Sequence, residues 1–259
     1  MPAGELPRRG RMKRILFKIY WRIEKIIVPN LVASQRLYED VLEKTVTGRT
    51  RWLDVGCGHR LLPDWRAESE RTLVQRAASI VGVDPDAQSI SKHRTISDVR
   101  LGKAEELPFP PGSFNLVTAN MVAEHLQDPA ACLQEIHRVL EPGGTFIFHT
   151  PNADSVTVRV NRSLPDGLKK MLASILESRK SEDVYPTHYR LNEEAAIQRA
   201  AEAAGFQMTH ISFTSSVAIF SVVFPIAAIE LLWIRLTLTK RLRRLRSNLI
   251  VTLTKPACS

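Results

Sequence analysis

The stretch Trp52-Leu53-Asp54-Val55-Gly56-Cys57-Gly58-His59-Arg60 decides the fold of this protein. It predicts a buried strand that ends in an acidic residue and is followed by a turn containing two glycines. Glycine lets the backbone approach a ligand closely, and doubly wound sheets bind their ligands at the carboxyl edge of the strands. The same pattern also occurs as a plain tight strand-to-helix turn, so it indicates a ligand site only together with other motifs.

A second acidic residue ends the next predicted strand, Val81-Gly82-Val83-Asp84. A carboxylate at this place in a dinucleotide-binding fold accepts hydrogen bonds from the two hydroxyls of a ribose. The alternative interpretation is that Asp84 caps the following helix, because Asp84-Pro85 also makes a good helix start.

Short apolar runs alternate with helical patterns on both sides of these motifs. Strands are predicted over 51–55, 80–83, 99–102, 114–119, 144–150, 207–213 and 248–254, and helices over 65–78, 87–95, 129–140 and 192–204. Asn192 is the expected N-cap of the last of these helices. Repeated strand–helix alternation is typical of parallel βαβ units. The sequence therefore predicts an α/β protein with a doubly wound, Rossmann-like sheet.

Five motifs follow one another in this frame: LDVGCG (53–58), VGVD (81–84), GKAEELPFPPGSFNLV (102–117), EHLQDP (124–129) and LEPGG (140–144). In this order they resemble the class I S-adenosylmethionine-dependent methyltransferases, in the branch with the ubiquinone and menaquinone biosynthesis enzymes. The resemblance is strong over residues 50–152 and looser over 187–213. It implies a seven-stranded sheet, mostly parallel with an antiparallel last strand, and S-adenosylmethionine as cofactor.

The resemblance also implies which residues bind the cofactor. The turn at 54–58 would lie under its methionine part, with Asp84 at the ribose hydroxyls, 103–105 on the adenine side and Asn120 near the transferred methyl. The implied cofactor-binding residues are Asp54, Gly56, Cys57, Gly58, Asp84, Pro85, Lys103, Ala104, Glu105 and Asn120.

The sequence departs from the family pattern at three places. Arg60 stands where a third glycine is usual, and the stretch from Gly58 to Asp84 is longer, so this loop is expected to take a different path. Lys103 replaces a common acid on the adenine side. Asn115 replaces a frequent aspartate, which we interpret as a tolerated surface change.

Three histidines are candidate catalytic bases: His125, His149 and His188. His125 follows the fourth strand, where the alternative is a role in shaping the loop. His149 ends the fifth strand and is expected at the rim of the cleft. His188-Tyr189-Arg190 resembles a lid sequence, in which a histidine acts as a base or pins the loop. Tyr189 and Arg190 are candidate substrate contacts, and no metal site is expected.

The net charge of +9 is confined to two segments. Residues 8–25 hold eight bases and one acid, residues 235–246 hold six bases and no acid, and the remainder is mildly acidic. Cys57, Cys132 and Cys258 include no CxxC pair, which argues against a disulfide framework or a structural zinc site and favours a reducing, cytoplasmic compartment. No cleavable export signal is evident.

Both basic segments adjoin apolar ones. Residues 11–28 form a basic amphipathic helix with Phe17 and Trp21 on its apolar flank, and the run 217–234, interrupted by Glu230, precedes the second basic cluster. Such segments lie on anionic membrane surfaces, and the alternatives are packing on the core or a dimer interface. We expect peripheral contact at the inner face of the membrane through 11–28 and 217–246.

These features predict a helical N-terminal extension over 1–48 and a methyltransferase domain over 49–255, with a lid at 153–190 and an apolar and basic helical insertion at 214–246. The leading functional hypothesis is methyl transfer to a small lipophilic or membrane-presented acceptor, such as a quinone or phenol precursor, a lipid or a glycolipid. The alternatives are a nucleic-acid methyltransferase, which the acidic remainder disfavours, and a non-catalytic cofactor-binding protein.

Overall fold

Seven strands form one sheet in the computed structural model, which describes residues 11–163, 186–218 and 224–257. The strands are β1 Arg51–Val55, β2 Ser79–Asp84, β3 Val99–Leu101, β4 Phe114–Asn120, β5 Leu140–Pro151, β6 Gln207–Thr214 and β7 Asn248–Thr254. Their order across the sheet is β3-β2-β1-β4-β5-β7-β6. The chain reverses direction across the sheet between β1 and β4, so the carboxyl ends of these two strands flank the switch point where doubly wound folds bind ligands.

The first five strands are parallel, with β1 between β2 and β4. β7 runs the other way: Gly143 and Gly144 of β5 exchange backbone hydrogen bonds with Lys255, and Asn152 donates to Ser247 at the opposite end. The expected mostly parallel, seven-stranded α/β sheet with an antiparallel last strand is therefore confirmed.

Eight α-helices lie in the part of the chain that the structure describes. They are α1 Arg11–Ile27, α2 Ser34–Thr45, α3 Ala67–Arg76, α4 Ala87–Ile90, α5 Pro129–Val139, α6 Val156–Ser163, α7 Glu194–Ala203 and α8 Phe224–Thr237. The start of α5 follows from its sequence, because Pro129 occupies the first turn and the Asp128 carboxylate accepts the Ala130 and Ala131 N–H groups at 3.1 Å.

The chain divides into two compact units. The sheet unit comprises Gln35–Pro151, Pro186–Ser212 and Leu249–Ser259, and the helical unit comprises the described parts of Met1–Ser34, Asn152–Tyr185 and Phe213–Asn248. The core of the sheet unit packs Tyr38 and Leu42 of α2 against the fully buried Trp52 and other apolar side chains of the sheet and helices. The predicted division at residue 48 stays a prediction.

The core of the helical unit lies between α1 and α8. Tyr20 of α1 packs with Ala227 and Leu231 of α8, and its hydroxyl donates to Glu24 at 2.6 Å and accepts the Ala218 N–H at 3.1 Å. Burial, reinforced by the Glu24 carboxylate, raises the pKa of Tyr20 well above its usual value, so the hydroxyl stays protonated.

One predicted helix is much shorter in the structure, and one stretch predicted to be irregular contains a helix. The helix expected over 87–95 ends at Ile90, because the His93 ring accepts the backbone N–H groups of Thr95 and Ile96 and closes a turn there. The stretch 153–190, expected to be irregular, contains α6, and its residues 164–185 lie outside the described residues.

Asn192 is not the N-cap of α7, so that expectation was wrong. Its buried side-chain amide donates to the Thr150 hydroxyl at 2.7 Å and to the Pro151 carbonyl at 2.9 Å, which fastens it to the end of β5. Glu193 stands at the cap position and makes no side-chain capping bond. A buried amide has to satisfy its own donors first, and β5 supplies the acceptors.

Candidate active site

The glycine turn after β1 is fixed by the neighbouring strand β2. The N–H groups of Gly56 and Cys57 both donate to the Val83 carbonyl, at 2.8 and 3.2 Å. Gly56 has a φ of +70°, and a Cβ on it would lie 2.3 Å from the Val122 side chain. Glycine at 56 is thus required both by backbone conformation and by close packing.

Gly58 differs from Gly56 because open space lies above it. Its φ is +52°, but a Cβ there would meet no atom within 4 Å. The Gly58 N–H donates to Asp84 Oδ2 at 2.9 Å, and the Asp86 N–H donates to Oδ1 at 2.8 Å. Each carboxylate oxygen of Asp84 keeps further acceptor capacity, so the aspartate can accept further hydrogen bonds beside the open space over Gly58.

The alternative role of Asp84 as a helix cap is wrong. Asp86 caps α4, since its carboxylate accepts the Gln88 N–H at 2.9 Å. Asp84, on the other side of Pro85, accepts the Gly58 N–H instead. Hydrogen bonds from Ser89 and Gln88 lower the pKa of Asp86, as expected for a working cap.

Asp54 lies at the buried end of β1. The Thr118 hydroxyl donates to its carboxylate, and the Trp52 ring N–H donates to Thr118 at 2.7 Å. Burial raises the pKa of Asp54 to about 7, because the Thr118 bond only partly offsets desolvation and the Asp84 and Glu70 charges add to it. A cationic ligand group nearby would favour the ionised form.

The loop that follows β3 is hydrogen-bonded to α5. Its Gly102 N–H donates to the Asp84 carbonyl at 3.1 Å, and Arg138 donates to the Phe109 carbonyl at 2.7 Å. Within it Lys103 is exposed, and Ala104 and Glu105 are partly exposed. All three implied adenine-side residues are therefore accessible to a ligand.

The ends of β4 and β5 meet in a polar contact. Asn120 pairs with His149 in the register of the two strands, and its side-chain Oδ1 lies 2.9 Å from His149 Nδ1. Asn120 Nδ2 donates to Gln35 Oε1 of α2 at 3.3 Å. The expectation that His149 lies at the cleft rim was wrong: it is 3% exposed and stacks on Tyr38, and burial lowers its pKa to about 4.

The other two histidines belong to a pair of joined loops. The N–H groups of His188 and Tyr189 donate to the Glu124 carbonyl at 2.7 and 3.2 Å, and the His125 ring contacts the Pro186 carbonyl at 2.8 Å. Arg190 donates to the Gln127 carbonyl at 2.6 Å. The two loops are thus joined by the His125 ring and by the backbone of His188 and Tyr189, and both histidine rings remain partly exposed.

Several residues that shape this region carried no sequence motif. Gln35 and Thr118 contact Asn120 and Asp54, and only their predicted burial on a helix and a strand could have drawn attention to them. The long loop after Gly58 is anchored by Arg94, which donates to the fully buried Glu70 and to the Leu62 carbonyl. Desolvation alone would raise the pKa of Glu70, but the hydrogen bonds from Arg94 and Thr95 outweigh it, so the pKa is lowered.

Arg60 and Cys57 are explained by their contacts. Arg60, at the usual third glycine, points to the surface and pairs with Asp64 at 2.8 Å. Cys57 is buried against Gly82, and burial raises the pKa of its thiol, so it contributes packing and backbone. Asn115 is a surface residue that bonds the Arg49 and Arg51 backbone.

Across residues 11–163, 186–218 and 224–257 no cluster of His, Cys, Asp or Glu has the geometry to hold a metal ion.

The chain is similar in sequence to known methyltransferases. A family model described as a methyltransferase domain matches residues 28–211. A Mycolicibacterium smegmatis protein named "Probable S-adenosylmethionine-dependent methyltransferase" is 30% identical over 192 residues, which is 73% of this chain and 60% of that protein. The ubiquinone biosynthesis O-methyltransferase of Pseudomonas paraeruginosa is 32% identical over 108 residues, 39% of this chain and 44% of that enzyme. The matches thus span less than two thirds of these relatives.

Solved structures agree on the fold. An S-adenosylmethionine-dependent methyltransferase from Mesorhizobium loti superposes with a TM-score of 0.54 at 18% identity, over 83% of this chain and 96% of that one. A geranyl diphosphate C-methyltransferase from Streptomyces coelicolor was solved with S-adenosyl-L-homocysteine. It superposes with a TM-score of 0.52 at 13% identity, over 84% of this chain and 76% of that one. Together with the glycine turn and Asp84, these matches confirm the resemblance: the chain belongs to the methyltransferase-domain family of S-adenosylmethionine-dependent enzymes.

Proposed function

We propose that this protein transfers a methyl group from S-adenosylmethionine to a small lipophilic acceptor presented at an anionic membrane surface. The observation that carries the membrane part is the helix α8, which is apolar on two opposite faces. One face packs in the core of the helical unit, and the other is exposed.

The residues present fit the cofactor. The open space over Gly58, beside an oriented Asp84 carboxylate, suits the ribose, and Asp54 suits the cationic amino end. When bound, the cofactor supplies a methyl on a sulfonium, whose carbon–sulfur bond electrons return to sulfur as an acceptor lone pair forms the new bond. The protein has to hold the acceptor in line at about 3–3.5 Å and to exclude water.

The acceptor proton, if it has one, needs a base. His125 and His188 are the histidines we propose for it, because both are partly exposed and lie on the joined loops that follow β4 and precede α7. Tyr189 and Arg190 remain our proposed acceptor contacts on the same segment. Residues 153–190 as a lid stay a prediction.

The exposed face of α8 follows a helical spacing. Ile226, Ile229, Leu232 and Leu236 lie on it, with Ile229 68% and Leu232 52% exposed, and Ile26 of α1 is 76% exposed. Ala227, Leu231 and Ile234 point the other way and are buried. A helix that is apolar all round needs a cover on both sides, and a bilayer interface provides one.

Bases accompany this apolar face within the helical unit. They are exposed on α1 and after α8: Lys18, Arg22, Lys25, Arg235, Lys240, Arg241 and Arg243. Apolar insertion next to positive charge matches an anionic bilayer better than a nucleic acid, which offers phosphates but no apolar phase. Trp21 instead packs against the helical-unit core. In the described part of the chain, no helix combines the length and apolar character that crossing a bilayer requires.

The acceptor class is tested by methyl transfer from labelled S-adenosylmethionine. We expect the protein, added to a matched cell lysate, to place label in the organic extract, and the Asp84→Ala variant to place less than about a tenth as much. Label that appears only in the aqueous or nucleic-acid fraction would refute the lipophilic acceptor. Cofactor binding without label in any fraction would indicate a non-catalytic binding protein.

The membrane surface is tested by vesicle flotation of the full chain. We expect binding to vesicles with anionic phosphatidylglycerol and little to pure phosphatidylcholine. Replacing Ile229, Leu232 and Leu236 by serine should reduce the bound fraction more than tenfold, since a buried aliphatic side chain contributes about 1.5–3 kcal/mol.

The matched control is Leu101→Ser, because Leu101 is 59% exposed but lies on β3 in the sheet unit. It should bind vesicles as the wild type does. Equal binding by the triple variant would contradict the proposal. A wild type that is dimeric in gel filtration and becomes monomeric in the triple variant would instead assign this face to a second copy of the chain.

A further inference from the structure

The side-chain amide of Asn120 is held from two sides. His149 Nδ1 lies 2.9 Å from its oxygen, and its nitrogen donates to Gln35 Oε1 at 3.3 Å. His149 is buried and stacks on Tyr38 with ring centroids 5.5 Å apart and an interplanar angle of 24°. The amide is therefore clamped between a rigid ring and a helix side chain.

In the structure the Asn120 amide has its oxygen toward His149 and its nitrogen toward Gln35. With this orientation, because Oδ1 only accepts, His149 Nδ1 carries the ring proton and Nε2 is the unprotonated nitrogen. Nε2 is buried and has no hydrogen-bond partner among the described residues. Burying a bare acceptor is less costly than burying a charged imidazolium, and desolvation keeps this ring neutral at neutral pH.

We infer that His149 is a positioning residue that, with Gln35, fixes the Asn120 amide at the carboxyl end of β4, beside the switch point where cofactor and acceptor are proposed to meet. This inference rests on the proposed methyl transfer and replaces the base role first considered for His149. Asn120 is only partly buried, and after its two clamping bonds it keeps one lone pair on Oδ1 and one N–H on Nδ2. These two groups can meet an acceptor hydroxyl or carbonyl.

A rigid Asn120 amide affects the rate because methyl transfer requires the acceptor atom to be aligned with the methyl group. A misplacement of about 1 Å costs on the order of 100-fold in rate. Asn120 is the last residue of β4 and precedes Met121, whose φ of +59° turns the backbone away from the strand. The Met121 N–H is itself bonded to the His149 carbonyl at 2.8 Å, so His149 holds both backbone and side chain at this turn.

The tautomer is measured by NMR of ¹⁵N-histidine-labelled protein, with the His149 signals assigned by their loss in His149→Asn. We expect a neutral ring protonated on Nδ1 at neutral pH. A ring protonated on Nε2, or on both nitrogens, would overturn the inference. This measurement needs neither cofactor nor acceptor, so its failure is distinct from failure of the proposed function.

The functional test compares two substitutions of His149. His149→Phe keeps a ring against Tyr38 but removes the donor, and we expect about 10- to 100-fold less methyl transfer into whichever fraction accepts label. His149→Asn keeps an N–H donor near the Nδ1 position and should retain transfer within about fivefold. Calorimetric affinity for S-adenosylmethionine should fall much less than methyl transfer does in both variants, because Asn120 is only one of the implied cofactor contacts and the Gly58 and Asp84 contact is untouched.

A double-mutant cycle with Asn120→Ala separates positioning from structural roles. If His149 acts through Asn120, adding His149→Phe to Asn120→Ala causes no further loss of transfer. Additive losses, wild-type transfer by His149→Phe, or a parallel loss of cofactor affinity would each overturn the inference.

Discussion

Replacing Gly56 by alanine is expected to lower the free energy of unfolding by about 2–4 kcal/mol. The Cβ would lie 2.3 Å from Val122, and the φ of +70° disfavours any side chain. Overpacking contributes about 1–3 kcal/mol and the left-handed backbone about 1 kcal/mol. Urea denaturation followed by circular dichroism measures the change.

Val122→Ala is the partner variant that isolates the steric part. In a double-mutant cycle, Gly56→Ala should destabilise the Val122→Ala background by only about 1 kcal/mol, which is the backbone contribution. If Gly56→Ala costs as much in that background as in the wild type, the Val122 contact does not explain the requirement for glycine.

Gly58→Ala provides a contrast at the same turn. It should cost only about 1 kcal/mol of stability, because no atom lies within 4 Å of the new Cβ. It should nevertheless weaken S-adenosylmethionine binding more than tenfold, because the alanine side chain would occupy the open space over residue 58 that we propose for the cofactor. Unchanged affinity would show that the cofactor does not approach Gly58.

Replacing Asp84 by alanine is expected to reduce the affinity for S-adenosylmethionine by 100-fold or more. If Asp84 binds the ribose as we propose, the substitution removes two charge-assisted acceptors for its hydroxyls, each worth about 1.5–3 kcal/mol. It also releases the Gly58 N–H that Asp84 orients at 2.9 Å. Isothermal titration calorimetry measures the change directly and requires no knowledge of the acceptor.

Asp86→Ala is the matched control for this variant. Asp86 is also an aspartate and stands two residues away, but its carboxylate caps α4 at the Gln88 N–H. It should leave cofactor affinity within about threefold and lower the melting temperature only slightly, because it removes the cap of a four-residue helix. Equal losses of affinity in both variants would point to general charge or folding effects and away from a ribose contact at Asp84.

The parts of the site that the sequence predicts are those encoded locally. The turn at 56–58 follows its own strand, and Asp84 ends the next one, so a short motif specifies both the conformation and the neighbours. Asp84 and Gly58 are 26 residues apart and still fall within one βαβ unit. The seven-stranded sheet with its antiparallel last strand could be predicted because the motif series resembles a known family, whereas the strand order comes from the structure.

The parts that the sequence left open depend on distant partners. Asn120 contacts Gln35 from 85 residues away, and no periodicity of α2 marks that residue as part of a site. His149 was expected at the rim because it ends a strand, but β5 continues to Pro151 and Tyr38 covers the ring. Asn192 likewise has the residue type and position of a helix cap, but in the structure its side-chain amide donates to Thr150 and Pro151 at the end of β5.

The pairing of α1 with α8 has a consequence for the order of folding. The hydroxyl of Tyr20 meets the Ala218 N–H across 198 residues of chain, and Leu231 and Ile234, which bury the same ring, come later still. During synthesis, α1 therefore leaves the ribosome well before α8, the helix that it packs against. Contacts of such long sequence separation form slowly, because loop closure precedes any gain from packing. We therefore expect the packing of α1 against α8 to form later than contacts of shorter sequence separation, such as the pairing of β1 with β4.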